Sequence, residues 1–66
     1  MTKKECAYIE ARANQFFRWG EEELEEAEKA ETPEEHNYHF LQATLNACAG
    51  NALMNVLSEI ASMKGA

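Results

Sequence analysis

Twenty-three consecutive residues, His36 to Ser58, contain no Asp, Glu, Lys or Arg. Such residues make up 27% of the chain, so the gap is a pattern. Aspartate is missing altogether, hydroxyls are few, and no glycine-rich loop is present to cradle a phosphate. Without a nucleophile–base set, no enzyme activity is expected. There is no basic patch to neutralise phosphates, which excludes duplex nucleic acid as an expected partner. No apolar run approaches the roughly 18 residues that a membrane span needs. The N-terminal MTKKECAYIEAR has two lysines but no continuous apolar stretch behind them, so no signal peptide is expected. Two cysteines are too few for a disulfide framework and suggest free thiols in the cytoplasm.

What is present is charge of one sign in one half. Residues 1–35 hold eleven glutamates against five lysines and arginines, the whole net charge of −6, and residues 36–66 hold only Glu59 and Lys64. Sixty-six residues make one domain. A domain of this size hides only about 60% of its unfolded surface when it folds alone.

Thr2-Lys3-Lys4-Glu5 fits a capping box, with a hydroxyl at the N-cap and a carboxylate three residues on. Cys6, Ile9, Ala13, Phe16, Phe17, Gly20, Leu24 and Ala27 then recur in steps of three and four, the spacing of one helix face. A first helix is predicted over about residues 3–31, continuous through Gly20 because good helix formers follow it. Thr32-Pro33-Glu34-Glu35 ends it and starts a second helix. Threonine caps, proline suits the first helical position, and the glutamates face the positive end of the helix dipole. So short a turn makes the two helices antiparallel neighbours. The expected fold is therefore an all-α antiparallel helical hairpin, with the second helix from 33 to about 63, self-associating into a four-helix-bundle dimer.

The main apolar face predicted for the second helix is Tyr38, Leu41, Leu45, Cys48, Ala49, Ala52, Leu53, Val56, Ile60 and Met63. Its period is that of a straight helix rather than a strict heptad, so no long supercoil is implied. From this face Leu41, Leu45, Cys48, Ala49, Ala52, Leu53, Val56 and Ile60 are the candidate oligomer interface. The opposite side carries Phe40, Ala43, Ala47 and Met54 beside Asn37, Thr44, Asn51, Asn55, Ser58 and Ser62, where a solvated helix would place charges. It is read as a second packing surface. The small residues from Ala47 to Ala52 suggest close helix packing.

Four groups could carry chemistry. Trp19, with Tyr8 and Phe40, is an interface-like aromatic. Trp19, Thr44, Asn51 and Asn55 are candidate partner or ligand contacts, and Glu22 and Glu25 are candidate contacts to a basic protein. His36 and His39, one turn apart and expected near Glu28 and Glu25, are weak metal candidates. They lack the Glu-x-x-His pattern of di-iron bundles, so no metal or cofactor is expected. Cys6 and Cys48 fall at different levels of the hairpin, too far apart for a disulfide, and read as small buried apolar residues.

The run Glu21, Glu22, Glu23, Glu25, Glu26 and Glu28 resembles the Glu-Glu-x-x-Glu helix of all-α nucleotide pyrophosphatases. Those enzymes also hold Mg²⁺ with acidic residues on a later helix, where GNALMNVLSEI here offers asparagines. No ligand residue carries over. The sequence thus points to a non-catalytic, homo-oligomeric protein that binds another macromolecule through its acidic surface, as an inhibitor or regulator. A small-molecule or nucleotide binder with a pocket between subunits is the alternative, and a His/Glu metal bundle a further one.

Overall fold

The computed structural model describes residues 1–65 and shows two packed helices, α1 over Lys3–Lys29 and α2 over Pro33–Gly65. α1 starts on the capping box expected of its sequence. The Thr2 amide donates to Glu5 Oε1 over 2.8 Å, and the Glu5 amide donates to Thr2 Oγ1 over 3.1 Å. It runs unbroken through Gly20 and stops at Ala30, whose extended backbone (φ −62°, ψ 138°) leads into the turn. α2 starts on the second cap, where the Glu35 amide donates to Thr32 Oγ1 over 3.2 Å. That bond caps the first turn of α2, so Thr32→Ala should cost about 1 kcal/mol. Thermal melts of the two proteins at equal concentration would show it as a lowered midpoint.

The helices meet through small side chains. On α1, Cys6, Ile9, Ala13, Phe16, Gly20, Glu23 and Ala27 are buried or half-buried in alternating steps of three and four. On α2 the matching series is His39, Ala43, Asn46, Gly50, Leu53, Leu57 and Ile60. This is the 3.5-residue spacing of a coiled-coil seam, although a strict heptad was not expected. Ala13, Gly20 and Ala27 take every seventh position on α1, as do Ala43 and Gly50 on α2, and all five are buried. A Cβ on Gly20 would sit 3.3 Å from the Ala43 carbonyl oxygen, so the backbones nearly touch there. At Gly50 the Phe17 ring fills the same role, 2.8 Å from where a Cβ would be.

The seam corrects the expected packing of α2. Ala43, from the side read as secondary, and Gly50 face α1 together with Leu53 and Ile60 of the main apolar face, while Leu41 and Leu45 of that face point away and are each 55% exposed. The reason is steric. Alanine and glycine let two helices approach more closely than the 8–10 Å usual for larger contacts. The consequence is a thin core. Among the described residues the buried apolar side chains are Ala13, Ala27 and Ala43, and none larger is fully buried. The molecule measures 51 × 18 × 11 Å, a slab one helix thick. Among the described residues, no helix is long and apolar enough to cross a membrane.

Candidate interaction surface

A slab leaves most of its apolar side chains on its faces, and the helical rotation sorts them. Phe17 covers Gly50 on one flank of the seam. Trp19, about 200° further round α1, lies on the other. On α2, Thr44 and Asn51 follow the seam residues Ala43 and Gly50 by one position and take the Phe17 flank. Ala49 and Val56 precede Gly50 and Leu57 by one and take the Trp19 flank.

The Trp19 flank is continuous with the outer edge of α2. There Tyr38, Leu41, Leu45, Cys48, Ala52 and Val56 are all exposed. Facing the same way from α1 are Tyr8 and Trp19, with the Arg12 side chain between them. Phe16 and Trp19 meet edge to face at 5.5 Å, and the Arg12 guanidinium lies 5.3 Å from the Phe16 ring and 5.9 Å from that of Trp19. Arg12 also donates to Gln15 Oε1. The Arg12 guanidinium thus lies near both rings, in cation–π range. Beyond Arg12 the same flank opens into an apolar groove lined by Met1, Lys4, Glu5, Tyr8 and Ile9.

Area shows how unusual this surface is. A folded monomer of 7.5 kDa should expose about 4,250 Å². This chain exposes 5101 Å². The excess of about 850 Å² is close to the ~800 Å² that each partner contributes to a standard protein–protein interface. The radius of gyration agrees, at 15.2 Å against about 11 Å for a compact chain of this length.

Of the candidate interface residues, Leu41, Leu45, Cys48, Ala52 and Val56 form the exposed stripe, while Ala49, Leu53 and Ile60 are half-buried towards the seam. Cys48 is thus exposed rather than buried, Cys6 is half-buried, and both thiols are free. The structure does not bring Trp19 together with Thr44 and Asn51, which lie on the opposite flank. The Thr44 hydroxyl donates to the Phe40 carbonyl over 3.0 Å. Asn51 and Asn55 are exposed.

The histidines pair differently from the expected register. His39 Nδ1 donates to Glu23 Oε2 over 2.6 Å, in place of the expected Glu25, and His36 Nδ1 donates to the Ala27 carbonyl over 3.0 Å. Glu23 lies on the seam side of α1 and Glu25 on its exposed side, which decides the partner. The two rings are thereby engaged with different partners, and no group of three or more metal-ligating side chains assembles among the described residues. His36 also stacks on Phe40 at 6.2 Å. Glu22 and Glu25 lie on the exposed outer side of α1 with Glu21, Glu26 and Glu28. Of this run, Glu23 is the residue whose carboxylate meets a side chain of α2, through its hydrogen bond with His39.

The sequence reading did not single out Ile9, Met1 or the Arg12–Phe16–Trp19 cluster as one surface. The spacing of Tyr8, Arg12 and Trp19 at four and seven residues was the available signal. The fold and this surface define the class as an antiparallel helical hairpin with an unpartnered apolar face. No protein-family model matches the chain, and neither a curated protein nor a solved structure does.

Proposed function

We propose that this chain is a non-catalytic interaction protein: a hairpin that self-associates through the outer face of α2 into a four-helix-bundle dimer and acts by binding another macromolecule with a basic surface. One observation carries the reading. The aliphatic stripe of α2 lies in water while the intramolecular core holds three alanines. A second copy is the simplest cover for such a stripe, because residues 36–58 bring no charge to repel it.

The outward face of the resulting assembly is the glutamate side of α1. Exposed carboxylates at Glu21, Glu22, Glu25, Glu26 and Glu28 form an anionic strip that suits a cationic protein surface and repels nucleic acid. Two free thiols suit the cytoplasm.

Light scattering across a dilution series tests the assembly, and a folded monomer at every concentration would refute it. The partner claim is tested by capture on immobilised cationic proteins. Binding should weaken steeply below 0.5 M salt, since exposed charges are screened within about 10 Å at 0.1 M. Salt-independent capture would remove the glutamate face as the contact.

A further inference from the structure

The hairpin is electrically lopsided along its length. Residues 19–35, the turn end, hold nine glutamates against Lys29 alone, a balance of −8. Residues 1–18, at the open end of α1, hold Lys3, Lys4, Arg12 and Arg18 against Glu5 and Glu10, a balance of +2. Residues 36–66 balance to zero. Two copies packed in parallel would set both −8 ends side by side. Two copies packed antiparallel set each −8 end beside the other's +2 end.

The side chains of the stripe favour the same choice. Let α2 of a second copy run antiparallel along the outer edge of α2, with the two-fold axis between Cys48 and Ala49. Leu45 then faces Ala52 of the partner subunit, and Leu41 faces Val56 of the partner subunit, so each large side chain meets a smaller one. In this register Leu41, Leu45, Cys48, Ala52 and Val56 all face apolar residues, and Tyr38 comes level with Glu59 of the partner subunit, where its hydroxyl can donate to the carboxylate.

We infer that the partner on this surface is a second copy of this chain, packed antiparallel through α2 about an axis beside Cys48. The inference rests on the self-association proposed above and adds its direction and register. It also gives the groove at the start of α1 an occupant. The seam pairs Gly20 with Ala43 and Phe17 with Gly50, so α1 residue n is level with α2 residue of about 65 − n. Counting through the two-fold, Tyr38 and Leu41 of the second copy arrive level with residues 6–9 of α1, where Met1, Tyr8 and Ile9 line the groove.

A cysteine within the stripe reports the direction. In the antiparallel dimer the Cys48 pair straddles the axis, and the two copies of position 41 are separated by about 22 Å along the bundle. In a parallel dimer through the same face both pairs would be level and adjacent. The experiment combines light scattering on the full chain with a short bismaleimide cross-linker on Cys6→Ala and on Cys6→Ala/Cys48→Ala/Leu41→Cys, after circular dichroism shows both helical. The expected result is a dimer that cross-links efficiently through Cys48 in Cys6→Ala and does not cross-link through position 41 in the triple variant. A dimer that cross-links in both variants is parallel, and one that cross-links in neither uses another face. Each of those outcomes overturns the inference while leaving self-association standing. A monomer overturns both.

Discussion

Replacing Leu45 with glutamate should dissociate the assembly and unfold the hairpin with it. Leu45 is 55% exposed in the single chain, so the substitution disturbs nothing inside the hairpin. In the dimer the same side chain is covered twice, once in each copy. Each covered leucine contributes about 1.5–3 kcal/mol, and a carboxylate placed there would be desolvated without a partner. The hairpin alone cannot absorb such a loss, because its own core consists of Ala13, Ala27 and Ala43. Met54→Gln is the matched control. Met54 is also an exposed apolar residue, but it lies on the Phe17 flank, away from the two-fold. Circular dichroism and sedimentation at one concentration should show Leu45→Glu as monomeric with most of its helicity lost, and Met54→Gln as close to the parent. A Leu45→Glu protein that stays helical and dimeric would remove the stripe as the interface.

Most of the hairpin was legible in the sequence because its boundaries are written in local chemistry. Thr2 and Glu5 satisfy each other's backbone donors, and Thr32-Pro33 both ends one helix and begins the next. These signals act within three residues and need no tertiary context. Continuity through Gly20 and Gly50 was legible as well, since helix formers lie on both sides of each. The side of α2 that meets α1 was not. A hydropathy pattern follows Leu, Val and Tyr, and those mark the stripe from Tyr38 to Val56. The middle of the seam is Ala43, Asn46 and Gly50, which carry little apolar area, and Ala43 and Gly50 contribute by the absence of bulk.

The candidate site was legible to the same degree and for the same reason. From the missing charge between His36 and Ser58, α2 is expected to be covered, and Leu41, Leu45 and Val56 were named on that ground. Which of two surfaces each residue served depended on the inter-helix register, which is fixed by atoms such as the Ala43 carbonyl that no side-chain pattern encodes. Because α2 turns Ala43 and Gly50 rather than its large apolar residues toward α1, Cys48 lies on the outer edge, and His39 meets Glu23 on the seam side of α1. The grouping of Tyr8, Arg12 and Trp19 with the stripe followed only once the flanks were fixed.

The seam yields the second large effect. At Gly20 a Cβ would stand 3.3 Å from a backbone oxygen, that of Ala43, and an α2 backbone atom cannot step aside without moving its helix. Gly20→Leu should therefore force the helices apart and cost about 3 kcal/mol, at the upper end of overpacking penalties. At Gly50 the obstacle is different. The Phe17 ring, 2.8 Å from the Cβ position, is half-buried and can rotate outward. Gly50→Ala then sets the displacement of Phe17 against the gain of about 1 kcal/mol for replacing a mid-helix glycine by alanine. With Phe17 itself replaced by alanine the obstacle is gone, and Gly50→Ala should become stabilising by that ~1 kcal/mol. Denaturant titrations of the four proteins in this cycle, at one fixed concentration, measure the coupling. If Gly50→Ala had the same effect in both backgrounds, Phe17 would not be the group that fills the notch. If Gly20→Leu melted with the parent, the close approach of α1 to Ala43 would be wrong. That result would reopen which face of α2 the hairpin buries, and with it the assignment of Leu41, Leu45 and Val56 to a second copy.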